Sequence, residues 1–129
     1  MLHVVESRKP LAQVAKDLEE AVARHKFGVL GVHDLRAKMA EKGVPFDREC
    51  RIFEVCNPHQ ASKVLHGDMS LSVALPCRIA VYEAEGRTHI ATLRPTELLA
   101  ELSDDPRLTD TAIDVETAIE AMIEQAAHR

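Results

Sequence analysis

Tryptophan is absent from this 129-residue chain, and the other aromatics amount to one Tyr and three Phe. So few rings exclude a base-stacking platform for single-stranded nucleic acid, and they leave the core to Val, Leu, Ile and Ala. Positive charge is also lacking, since the net charge is -5. The deficit is local. Residues 1–102 hold 14 acidic and 14 basic side chains, whereas residues 103–129 set seven acids against Arg107 and Arg129. A neutral body with an acidic end offers no basic face for phosphates, which excludes a nucleic-acid partner. The acidic end reads as the solvated face of a helix.

Long apolar runs are missing too. None approaches the roughly 20 residues that span a bilayer, so no membrane association is expected. The opening "MLHVVESRKP" has no basic region followed by an apolar stretch. The expectation is therefore a chain without a signal peptide, located in the cytoplasm. Its three cysteines are an odd number and read as free thiols in a reducing compartment rather than a disulfide framework. "FGVLG" lacks the lysine and the spacing of a phosphate cradle, and no serine sits in a nucleophile elbow. No cofactor is expected, and the composition leaves open whether the protein is an enzyme.

The length suits one domain, residues 1–129, with enough chain to bury a core. "LHVVE" (2–6) has a β-branched centre and predicts a first strand. Over residues 9–26, Leu11, Val14, Ala15, Leu18, Ala21, Val22 and His25 recur at three and four, which predicts an amphipathic helix. Ser7 is its candidate cap and Pro10 fits its first turn. "FGVLGVHDL" (27–35) predicts a strand whose two glycines suit a bulge. Asp34 can cap a short helix carrying Leu35 and Met39 on one face, ended by Gly43. "ECRIFEVC" (49–56) is the third strand, with Arg51, Phe53 and Val55 on one face and Cys50, Ile52, Glu54 and Cys56 on the other.

A helix from Pro58 to Gly67 buries Ala61, Val64 and Leu65. "CRIAVYEAEGRTHIATL" then predicts a hairpin turning at Gly86. The remainder, 96–129, is an acidic helical extension to a core of residues 1–95. Within it "TELLAEL" is a short helix, and "AIDVETAIEAMIEQAA" turns Ile119, Met122, Ile123 and Ala126 inward. The order of elements points to an α/β fold of the α+β type. It predicts a single mixed, largely antiparallel sheet of about five strands, layered with helices and closed by a C-terminal helix.

Two cysteine motifs carry the chemistry. In "VCNPHQ" Asn57 suits an N-cap and Pro58 the first helical position, and Gln60 could reach back to the Asn57 N–H as a capping box. Cys56, just ahead of that helix, could pack on Ala61. It could equally be activated, because free N–H groups and the helix dipole favour a thiolate or a bound anion. In "LPCRIAVYE" Cys77 falls in register with Ile79 and Val81, with Arg78 on the opposite face. Placed at one rim of the sheet, Cys56 and Cys77 would be candidate catalytic thiols, and Cys56, Asn57, Cys77 and Arg78 a ligand-binding set. Cys56 and His59 also have C-x-x-H spacing, which with Cys77 makes them the candidates for a metal. Tight zinc sites show two such close pairs, so no metal is expected.

"EVCNPHQASKVL" followed by "LPCRIAVYE" resembles domain-of-unknown-function family 302, small bacterial and archaeal α/β domains. The resemblance runs from about residue 3 into the 90s. It implies an α/β sandwich that forms a homodimer, with no assigned activity and no catalytic residues to carry over. Three readings stand side by side. The first is a non-catalytic binding or regulatory module for a small ligand or an anion, at a cleft near Cys56 and Arg78. The second is a cysteine-dependent redox, sulfur-handling or soft-metal protein using Cys56 and Cys77. The third is a homodimeric accessory protein whose cysteines are core residues.

Overall fold

The computed structural model describes residues 1–129. The chain runs β1 (Leu2–Ser7), α1 (Leu11–Arg24), β2 (Gly28–Asp34), α2 (Leu35–Glu41), β3 (Cys50–Cys56) and α3 (Pro58–Gly67). A 3-10 helix (Met69–Ala74) follows, then β4 (Cys77–Ala84), β5 (Arg87–Leu93), α4 (Pro95–Leu102) and α5 (Arg107–His128). The five strands form one sheet in the order β1-β5-β4-β3-β2, and every pairing is antiparallel. The expected fold class holds: an antiparallel sheet layered with helices, ending in a helix.

The alternation of β3 sets the two faces. Phe53 and Val55 point one way and are buried with Ile79, Val81 and Ile90 of the neighbouring strands. Onto this face α1 lays the stripe Leu11, Val14, Ala15, Leu18, Ala21 and Val22, and α5 adds Ile119, Met122, Ile123 and Ala126. One cluster of 17 buried residues thus joins the sheet, α1 and α5. Side chains of this kind, fully buried, each contribute about 1.5–3 kcal/mol.

The opposite face stays largely uncovered. Register places Val4, Ala91, Ala80 and Ile52 side by side across β1, β5, β4 and β3. On one flank of this apolar row Arg78 stands beside Glu54, and on the other Glu6 pairs with Arg87 and His89. His89 stacks on Tyr82, with ring centroids 5.2 Å apart.

Local rules account for most of the ends. Asp34 accepts from the Ala37 N–H and caps α2. Lys42 and Gly43 close that helix, and Gly43 takes a φ of 73° that favours glycine. The β2–β3 register shifts between Val29 and Gly31, as the two glycines suggested. At the β4–β5 turn Glu85 and Gly86 both have positive φ, the requirement of a two-residue hairpin loop.

Two local expectations fail. Ser7 does not cap α1, which starts at Pro10 with no side-chain cap. Ser7 ends β1 instead, buried, and its hydroxyl donates to the Ala127 carbonyl at 2.7 Å. That carbonyl belongs to the last turn of α5 and has no partner within its own helix. The second concerns α3: of Ala61, Val64 and Leu65 only Val64 is buried, and the other two are half-buried.

Candidate functional site

At the end of the sheet where β3 and β5 finish and β4 begins, the chain leaves a cavity of about 360 Å³. Its walls come from five places: the start of α3, the segment Val73–Pro76, the strand ends, α4, and the first half of α5. Of 22 lining residues 15 are hydrophobic, and Arg78 is the one Lys, Arg, His, Asp or Glu among them. Leu71, Val64 and Leu108 form a small separate core that fixes the 3-10 helix against α3 and α5.

The α3 wall is built by its cap. Asn57 Oδ1 accepts from the N–H groups of His59 and Gln60, at 3.0 and 3.2 Å. The Ala61 N–H donates to the Asn57 carbonyl at 2.9 Å, and Pro58 has no N–H. Every donor of the first turn is therefore engaged. The helix start holds no free N–H group for an anion, which removes the geometry that would place one there. Gln60 does not complete a capping box either. Its Oε1 is buried without a partner, although the residue lines the cavity.

The α4 wall begins at Pro95 with no cap from its own chain end. Glu116 of α5 supplies one across the interface: its Oε1 accepts from the Thr96 N–H at 3.2 Å and the Thr96 hydroxyl at 2.7 Å. This contact ties the two helices that close the far side of the cavity.

Cys56, Asn57, Cys77 and Arg78 all line this one cavity, and Cys50 and His59 do not. His66 lies at a second, polar hollow with Lys63, Asp105 and Arg107, where Arg107 is held by Asp105. Thr111 lines both hollows and forms part of the wall between them. No three His, Cys, Asp or Glu side chains are grouped so as to hold a metal ion. All three cysteines are free.

Both cavity cysteines behave as apolar wall. Burial pushes the Cys77 thiol up to about 11, with the nearby Cys56 adding a smaller push in the same direction. Burial raises the Cys56 thiol as well. Desolvation is the main cause at both thiols, and the N–H groups that could stabilise a thiolate at the start of α3 already serve Asn57. Cys50, too, is raised by burial and then by Asp34.

Arg78 sits at the rim with its side chain 58% exposed. Its Nη2 lies 3.6 Å from Glu54 Oε2, beyond hydrogen-bond range, while Glu54 Oε1 is 2.7 Å from His33 Nε2. Leu98, Leu99 and Leu102 of α4, with Ala112 and Val115 of α5, were not singled out as site residues, although the three- and four-residue spacing of the leucines in "TELLAEL" marks an inward face.

The family model described as "Domain of unknown function DUF302" matches residues 3–126, which takes in α5. A solved structure described as an uncharacterized conserved protein DUF302 from Bacillus stearothermophilus superposes with a TM-score of 0.90. It is 32% identical, and the match covers 97% of each chain. A comparison with curated proteins finds no match.

Proposed function

The chain belongs to the DUF302 family, for which no activity is described, and from that premise we propose that it is a non-catalytic binding module for a small, mainly apolar molecule. The observation that carries this is the lining of the cavity at Cys56 and Cys77, which is hydrophobic at 15 of 22 positions. A volume of about 360 Å³ lies at the lower end of the range of ligand pockets, roughly 300–1,000 Å³. Thiol chemistry is the weaker reading, since burial holds both thiols protonated near neutral pH. Binding of a bare anion is weaker too, because the start of α3 has no free donor. Free, unpaired thiols suit a cytoplasmic setting.

Calorimetric titration with 1-octanol tests the reading. Saturable binding is expected, and Ala112→Leu, which extends a buried wall residue into the cavity, should abolish it while the thermal midpoint holds or rises. Absence of saturable binding to the wild type would sink the proposal.

A second reading concerns assembly. The open sheet face fits a second copy of this chain, in line with the dimer that the family resemblance implies. Its five strands of six to eight residues span a face of roughly 24 by 20 Å, from strand spacing and rise. Two such faces, with their rims, reach about the 1,000 Å² that a specific interface requires. A two-fold axis along the row Val4, Ala91, Ala80, Ile52 lays that row on itself, the isologous arrangement.

A further inference from the structure

We propose that the ligand is a one-ended amphiphile, an anionic head on a short alkyl chain, whose head is received by the guanidinium of Arg78. The inference rests on the binding reading above and adds the chemical class of the ligand. At about 30 Å³ per water-sized unit, the cavity of about 360 Å³ has room for about a dozen non-hydrogen atoms. That suits the chain of a free medium-chain molecule.

The polarity of the walls is one-sided. The Asn57 side-chain oxygen is committed to the α3 cap, and the Thr92 hydroxyl donates to the Arg78 carbonyl at 2.8 Å. Burial keeps the two thiols neutral. Beyond these and Arg78, only Gln60 and Thr111 bring polar side chains to the wall, so the interior is mainly apolar, and a polar group buried there without a partner is strongly disfavoured. The mouth differs. Three apolar residues on its rim are exposed, Val73 at 76%, Leu93 at 47% and Leu102 at 46%, a greasy lip over which an alkyl chain can enter. Beside them stands the single cation of the lining, with no carboxylate among the lining residues to oppose an anionic head.

Arg78 is also free to respond. Its contact with Glu54 is loose, at 3.6 Å, and Glu54 has a closer partner in His33 at 2.7 Å. A carboxylate head competes with Glu54 for the guanidinium, which can offer it a bidentate pair. Removing the Glu54 charge should therefore strengthen the head-group contact, and removing the Arg78 charge should weaken it.

The experiment compares octanoate with 1-octanol, one chain with and without the charged head, on the whole protein by calorimetry. Arg78→Gln should lower the octanoate-to-octanol affinity ratio about fivefold, the scale of a partly exposed ion pair. Glu54→Gln should raise the same ratio, a change that a merely structural loss would not produce. A ratio that stays constant in Arg78→Gln, or that falls in Glu54→Gln, overturns the head-group assignment and leaves the apolar binding reading intact. Failure of the wild type to bind either molecule overturns both.

Discussion

Cys77 stands opposite Val55 in the β3–β4 register, which sets it diagonally beside Cys56 where the two strands end at the cavity. Proximity alone would suggest a reactive pair, but burial decides otherwise. At neutral pH both thiols should alkylate more slowly than a free model thiol. The Cys77 rate should climb only as pH approaches about 11. The linkage has a definite sign. The folded state holds the Cys77 proton more tightly than the unfolded chain, whose thiol titrates near 9.0. Its contribution to stability is therefore complete below that value and is lost as pH rises from about 9 to about 11. Mass-resolved iodoacetamide kinetics and urea melts across this window check both statements; fast labelling of either residue at pH 7 would contradict them.

Asn57 carries the first turn of α3 on one oxygen, with two N–H groups bonded to it. Asn57→Ala should cost about 1 kcal/mol in urea unfolding, and Asn57→Asp or Asn57→Ser should recover most of it. Because the same turn forms a wall of the cavity, octanol binding should weaken in the alanine variant.

Glu116 is a cap supplied from another helix. Glu116→Ala leaves the Thr96 N–H and hydroxyl without their acceptor and should destabilise by about 1–2 kcal/mol. Amide hydrogen exchange should accelerate in α4 ahead of α1. Uniform exchange across both helices would mean that the contact does not hold α4 locally.

On the open face, Ile52→Lys introduces a charge into the apolar row without touching the helix-covered core. Sedimentation should show a dimer for the wild type and a monomer for this variant, with secondary structure unchanged. A wild type that sediments as a monomer at micromolar concentration removes the interface.

Much of the fold could be read from local pattern, because the signals are local. The stripes Leu11–Val22 and Ile119–Ala126 follow helical spacing, and both are buried. Asp34, Asn57, Gly43 and Gly86 each answer a backbone requirement of their own turn. Where long-range contacts compete, local rules lose: the Ser7 hydroxyl serves a carbonyl 120 residues away rather than the nearest helix. The strand order was out of reach for the same reason, since nothing in "LHVVE" names β5 as its neighbour. Cys56, Asn57, Cys77 and Arg78 could be picked out as motif residues. Their common cavity could not, because its far wall comes from Leu98–Val115, and no spacing rule links that segment to the strand ends.

The two ends of the chain are laced together. Ser7 bonds to Ala127, and the Lys9 ammonium donates to the carbonyls of Ala126 and Arg129. β1 has its only strand partner in β5, from Leu2 opposite Leu93 to Ser7 opposite Thr88. For a chain made from its N-terminus this imposes an order of events. The first strand and first helix leave the ribosome more than 80 residues ahead of the segments that complete them, with apolar surface exposed meanwhile. Closure of the core waits for α5, so the native state becomes reachable only once that helix has emerged, and the high sequence separation of these contacts favours slow folding.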